Sequence, residues 1–166
     1  MIACFDVHYF EDHANAAVVM LDDWSDIDII ASLVVRCDSA REYVAGQFYQ
    51  REPQPLLSLI KQIEHPIQTY VVDAYCHLSK DGTPGLGQYL YDELDSDKPV
   101  IGVAKNRFRD THHAVELLRG ESIRPLFVSS VGIDYAKAAN LVNSMHGRNR
   151  IPTLLKKVDH LSRHGE

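Results

Sequence analysis

The sequence predicts an α/β fold: a mixed β-sheet that begins as an antiparallel meander, continues with parallel strands and carries helices on both faces. Three observations carry the prediction. Up to Cys37 the chain holds three apolar runs separated by short acidic breaks, and beyond Pro53 strand-like runs alternate with helix-like stretches. The length of 166 residues, 45% of them hydrophobic, suits a single domain (1–166) with its own core.

Ile2 to Phe10 is short and rich in β-formers, Ala16 to Leu21 is a compact apolar run, and Ile27 to Cys37 is a long stretch of Ile and Val. Only Glu11-Asp12 and Asp22-Asp23 break the chain between them, and connections this short favour antiparallel neighbours. Pro53 and Pro55 mark the opening of a helix, with Leu56, Leu57, Leu59, Ile60 and Ile63 at near-helical spacing. Gln68 to Asp73 then reads as a buried strand, Leu86 to Leu94 as a helix and Val100 to Ala104 as a second buried strand. Alternation at this spacing predicts parallel pairing through crossover helices. Arg124 to Val131 is a further strand, Asp134 to His146 a helix with Asp134 as its N-cap, and Thr153 to Arg163 a last helix after Pro152.

Composition excludes several classes of function. No apolar run reaches the length of a spanning helix, and the N-terminus lacks the pattern of a signal peptide, so a cytoplasmic protein without membrane attachment is expected. Cys4, Cys37 and Cys76 are an odd number without C-x-x-C spacing, which predicts buried free thiols rather than a disulfide framework or a zinc site. The segment GTPGLGQ lacks the lysine of a P-loop and reads as a loop entering a helix; Ser129 and Ser130 lack nucleophile-elbow glycines; His77, His112 and His113 have no metal spacing. Charge is divided along the chain. Residues 1–97 hold 17 acids against 5 bases and residues 98–166 hold 6 against 12, a contrast that points to a polyanion or a metal ion as partner.

Four acids fit a structural role poorly. Asp6 interrupts the first strand between Phe5 and Val7, where a carboxylate is disfavoured and costly to bury. Asp73 ends the run Tyr70-Val71-Val72, at the strand edge where open α/β sheets place ligands. Glu52 precedes Pro53, and Asp159 lies on the last helix among Lys156, Lys157 and His160. Singly, each also reads as an edge residue, a helix-dipole acid or a solvated face. If they converge, two carboxylates about 5 Å apart at an effective dielectric near 20 repel by roughly 3 kcal/mol, so the cluster requires a cation. Oxygen ligands of this kind suit Mg2+ or Mn2+, and two such ions suit activation of water and stabilisation of the leaving oxygen of a phosphodiester.

At these positions the chain resembles the endonuclease V family, ribonuclease H-like enzymes that use Mg2+ to nick nucleic acid near deaminated purines, inosine above all. Four collinear blocks carry the likeness: CFDVHYF around Asp6; EYVAGQFYQREP with Tyr43 and Glu52; TYVVDAY followed by PVIGVAKN; and RIPTLLKKVDH with Asp159. The resemblance implies a ribonuclease H-like sheet, with Asp6, Glu52, Asp73 and Asp159 as the catalytic metal-site carboxylates and Lys105 near the scissile phosphate. It implies Mg2+ as cofactor, Mn2+ substituting, and DNA or RNA as partner. Tyr43 corresponds to the family's strand-separating wedge, an aromatic ring able to stack in the gap left by a displaced base, and Gly46 lets backbone approach that base. Arg148, Arg150, Lys156 and Lys157 are then expected to track phosphates.

The chain also departs from the family pattern. Glu42-Tyr43-Val44-Ala45-Gly46 replaces Pro-Tyr-Ile-Pro-Gly, Asp73-Ala74-Tyr75-Cys76 replaces Asp-Gly-x-Gly, and Ser130 to Asp134 replaces a Gly-His-Arg-type segment. Three activities fit: endonucleolytic cleavage near inosine, binding of nucleic acid or a protein by a relative without base-specific cleavage, or metal-dependent cleavage of another substrate such as structured or single-stranded nucleic acid.

Overall fold

A computed structural model describes residues 1–38, 53–94, 97–109 and 111–165. They form strands β1 (Ile2–Tyr9), β2 (Ala14–Leu21), β3 (Ala31–Cys37), β4 (Thr69–Val72), β5 (Val100–Ala104), β6 (Val115–Leu117) and β7 (Leu126–Val131). The described helices are α1 (Pro53–Ile60), α2 (Leu86–Glu93), α3 (Tyr135–Ser144) and α4 (Thr153–His164). None is long and apolar enough to cross a membrane.

The strands make one mixed sheet in the order β3-β2-β1-β4-β5-β7-β6. The predicted meander is there: β1 pairs antiparallel with β2, and β2 with β3. The predicted change to parallel pairing follows, with β4 beside β1 and β5 beside β4. Strand β7 then returns antiparallel to β5, with β6 antiparallel on its outer edge.

Period-2 alternation divides the sheet into two cores. Ala3, Phe5, Val18, Val72 and Val100 face Leu56 and Leu59 of α1 and Leu90 of α2. Cys4, Val19, Val71, Ile101 and Val103 face Ala138 and Val142 of α3 and Leu154 and Val158 of α4. Helices therefore cover both faces, as expected.

Several boundaries differ from the sequence prediction for local reasons. Strand β3 starts at Ala31 rather than Ile27, because Asp26 Oδ2 accepts hydrogen bonds from the Asp22 and Asp23 amides and folds the acidic break into a turn. That turn leaves Ile27 and Ile30 exposed. Helix α1 stops at Ile60, where the amides of Gln62 and Ile63 bond three residues back to Leu59 and Ile60. Asp134 caps α3 as predicted, its Oδ1 accepting from the Ala136 and Lys137 amides at 2.9 and 3.2 Å. The three cysteines are free; Cys4 and Cys76 are buried and Cys37 is partly so.

Segments set aside as structural behave so. Ser129 Oγ accepts from the Cys76 amide and Ser130 Oγ donates to Ile133 O. The Gly-rich segment enters α2, and Gly87 is required there, because a Cβ would sit 2.4 Å from Cys76 Sγ. His77 Nδ1 lies 2.5 Å from Tyr135 Oη and its Nε2 lies 3.0 Å from Gln88 Oε1, while His113 Nε2 donates to the His77 carbonyl. These contacts tie the loop after β4 to α2 and α3. Burial pushes the Tyr135 phenol up to about 12, so it keeps its proton beside His77.

Candidate metal centre

Strand parity determines which side chains meet. Asp6 continues the register of Ile2 and Cys4, Asp73 that of Val71, and Lys105 that of Ile101 and Val103, all members of the core under α3 and α4. Asp73 and Lys105 lie one residue beyond the ends of the parallel strands β4 and β5, the edge where such sheets leave room for a ligand. Helix α4 closes the site. Leu154, Val158 and Ser162, one turn apart, are its buried stripe, so Asp159 stands at the border of that stripe, beside the sheet.

Residues 6, 73 and 159 are brought together: each carboxylate offers an oxygen, and these oxygens lie within 4.8 Å of one another. Lys105 stands among them, with Nζ 2.5 Å from Asp73 Oδ2 and 3.0 Å from Asp159 Oδ1. Arg163 grips Asp159 from the next turn of the helix, Nε to Oδ2 at 3.0 Å. The Ser162 hydroxyl donates to Asp6 Oδ2. Glu52, Tyr43 and Gly46 lie outside the described residues.

The carboxylates sit in different fields. Burial pushes the Asp6 carboxyl above its ordinary value; the Ser162 hydrogen bond opposes this, and the Asp73 and Asp159 charges add to it. Burial acts the same way on Asp159, yet the hydrogen bonds and charges of Arg163 and Lys105 outweigh it and hold that carboxyl below its ordinary value. Burial also works against the Lys105 ammonium, but Asp73 and Asp159 prevail and keep it protonated above the usual lysine range. Among the described residues, hard oxygen donors without a thiolate or imidazole form this cluster, a donor set that suits Mg2+ or Mn2+. The ammonium between two of the acids marks the place as one that requires positive charge.

Two hollows flank the carboxylates. One, under α4, is lined by Phe5, Val103, Leu126, Ile151, Leu155 and Val158; the other, toward α1 and α2, by Val7, Tyr9, Leu56 and Leu86. Asp6 and Asp73 stand at both. Tyr75 and Cys76, in the segment that replaces the family's Asp-Gly-x-Gly, are buried. Tyr75 Oη donates to the Asn106 carbonyl at 2.8 Å, and Cys76 packs in the core under α1 and α2.

Sequence reasoning missed the residues that hold α4 in place. Arg119 is 95% buried, with 5% of its surface exposed, and its guanidinium donates to the carbonyls of Met145, Gly147, Asn149 and Arg150 in the α3–α4 connection. Gly120 allows that connection to come close: its φ is +61°, and a Cβ would lie 2.0 Å from Arg148 O. Arg150, expected on phosphate, donates Nη2 to the carbonyls of Lys105 and Pro125 and so joins the connection to the Lys105 backbone. The available signals were Ser162, a polar residue at an apolar helical position, and Arg163, four residues beyond Asp159.

Comparison with solved structures shows a shared fold. The catalytic domain of human endonuclease V superposes with a TM-score of 0.81 at 22% identity, covering 99% of this chain and 81% of that one. Endonuclease V of Streptomyces avermitilis gives 0.80 at 24% identity, with 99% and 80% covered. A Ciona intestinalis endonuclease V variant, crystallised with a 23mer DNA containing an inosine followed by a ribo-adenosine, gives 0.79 at 18%, with 99% and 84% covered. No curated protein matches the sequence. The family model for endonuclease V matches residues 1–123, which include Asp6, Asp73 and Lys105 and stop short of α4. By that match over most of its length, the chain belongs to the endonuclease V family.

Proposed function

We propose that this protein is a Mg2+-dependent endonuclease, with Mn2+ able to substitute, that hydrolyses a phosphodiester bond in DNA or RNA near a deaminated base, inosine in particular. The observation that carries the reading is the meeting of Asp6, Asp73 and Asp159, from three chain-distant elements, around Lys105. Membership of the endonuclease V family supports the nuclease role, and the inosine-containing DNA in the Ciona intestinalis complex supports the substrate class.

Asp6, Asp73 and Asp159, joined by Glu52, would hold the metal. A divalent ion bound there supplies Lewis-acid stabilisation of the phosphoryl oxygens and lowers the pKa of a coordinated water. The remaining work falls to this chain's residues. Ser162 fixes the Asp6 carboxylate and Arg163 fixes that of Asp159, so the donors are oriented before substrate arrives. Lys105, protonated throughout the neutral range, opposes negative charge that develops on the phosphate as water adds to phosphorus and the ester oxygen leaves. Tyr43 and Gly46 would separate the strand and approach the base.

The test is nicking of an inosine-containing oligonucleotide with Mg2+ present. Asp6→Asn and Asp73→Asn should abolish it; full activity in both variants would refute the assignment. A wild-type protein that binds the strand without forming any metal-dependent product would favour a binding module instead.

A further inference from the structure

We propose that the substrate strand leaves the carboxylate cluster across the ends of β5 and β7, where Arg109 and Arg124 bind its phosphates and the exposed Phe108 ring stacks on one of its bases. This deepens the proposed function and rests on it.

The antiparallel register of β5 and β7 supplies the first argument. Ala104 pairs with Phe127, so the chain leaving β5 through Lys105 and Asn106 runs beside the residues that precede Leu126. Arg124 accordingly reaches back, its Nη2 3.3 Å from Asn106 Oδ1, next in sequence to the lysine of the carboxylate cluster. Charge balance supplies the second. Of the arginines at this end of the sheet, Arg107 is neutralised by Glu116 and lies 4.8 Å over the Phe127 ring. Arg150 is committed to backbone carbonyls. Among the described residues no carboxylate pairs with Arg109 or Arg124, and both are exposed. Burial and, after it, the nearby Arg124 charge lower the Arg150 pKa, which marks Arg124 and Arg150 as close neighbours on the strip beside the acidic cluster.

The aromatic ring is the third argument. Phe5 and Phe127 are buried, whereas Phe108 is 40% exposed. The Arg109 guanidinium carbon lies 5.2 Å from the Phe108 ring centre, and Arg109 is the one non-glycine residue among those described with a positive φ, at 42°. A side chain held in a backbone region that disfavours it, beside an exposed ring, pairs a cation with a stacking surface. The ligand that carries both regular negative charge and flat aromatic groups is a nucleic acid strand. An acidic protein would use the arginines and leave the ring unused.

The experiment measures binding of a fluorescent, inosine-containing single-stranded oligonucleotide by anisotropy, with chelator to prevent cleavage, over a series of salt concentrations. Wild type is compared with Arg109→Ala, Arg124→Ala, Phe108→Ala and Lys61→Ala, the last in the connection leading to the opposite, N-terminal end of β4. Circular dichroism confirms that each variant is folded. Arg109→Ala and Arg124→Ala should each weaken binding and lower the slope of log affinity against log salt by about 0.7, the share of one phosphate contact on a single strand. Phe108→Ala should weaken binding roughly five-fold or more with the slope unchanged. Lys61→Ala should behave as wild type. If wild type binds and nicks while the three strip variants match Lys61→Ala, the strip is wrong and the proposed function stands. If wild type neither binds nor nicks, both fall. Arginine effects without a Phe108 effect would overturn the stacking contact and favour a ligand read by charge alone.

Discussion

The two faces of the sheet bury the same kinds of side chain and yet differ in what they do at the C-terminal ends of the parallel strands. Toward α1 and α2, the alternation of Ala3, Phe5, Val72 and Val100 ends in a hollow where Val7, Tyr9, Leu56 and Leu86 supply apolar walls and no charge, Asp6 and Asp73 reaching it from the strands. Toward α3 and α4, the alternation of Cys4, Val71 and Val103 continues one step further into Asp6, Asp73 and Lys105. There α4 meets them with Asp159, Ser162 and Arg163 instead of more leucine. The contrast teaches that one rule, the period of a strand, builds both a core and a charged site. The face decides which of the two results, and the helix packed on that face completes it.

The largest expected effect breaks the charged face. Asp6→Asn or Asp73→Asn should lower metal-dependent nicking by on the order of 10³-fold, read from initial rates on an inosine-containing strand. On the opposite face, Leu59→Ala should cost about 3 kcal/mol of stability in urea unfolding, because Leu59 is fully buried under the sheet. Its folded fraction should bind Mn2+ as tightly as wild type does; a loss of metal affinity would show that the faces are not independent. Arg119→Met should cost about 2 kcal/mol, since it leaves four buried or half-buried carbonyls without their donor, and should also reduce nicking through α4. Arg119→Lys should restore stability and activity in part, with kcat recovering more than KM changes.

The smallest effect concerns Asp6 in metal-free protein. Burial raises its pKa in the fold, so the folded state binds the proton more tightly than the unfolded chain does. Below the ordinary aspartate value the side chain is protonated in both states and imposes no charge penalty. As pH rises through the raised value the penalty develops in full. Asp6→Asn should therefore increase the melting temperature by a few degrees at neutral pH in chelator, with the gain fading in acid. Added Mg2+ should reverse the ranking by stabilising wild type alone.

Much of this was legible from the residues. Apolar runs as distinct as Val100 to Ala104 form strands in nearly any context, and Asp134 announced its cap by its position ahead of α3. The carboxylates stood out because acids at strand ends need a reason, and the spacing of four sequence blocks pointed to the same ones. What stayed hidden depends on contacts far apart in the chain. Strand β6 is three residues, Val115-Glu116-Leu117, too short for a period to show, and it exists because β7 offers it a ladder. Arg119 reads as a surface arginine until the chain folds and four carbonyls from residues 145 to 150 surround it. Arg150 looked like a phosphate ligand for the same reason: sequence shows a charge, while only the fold shows the carbonyls of Lys105 and Pro125 that occupy it.

The most direct measurement is anomalous scattering from crystals of the protein soaked in Mn2+. The account predicts a peak bonded to carboxylate oxygens of Asp6 and Asp73, with the Lys105 ammonium displaced from Asp73. Crystals that show no manganese at these carboxylates, with the Lys105–Asp73 pair intact, would contradict it.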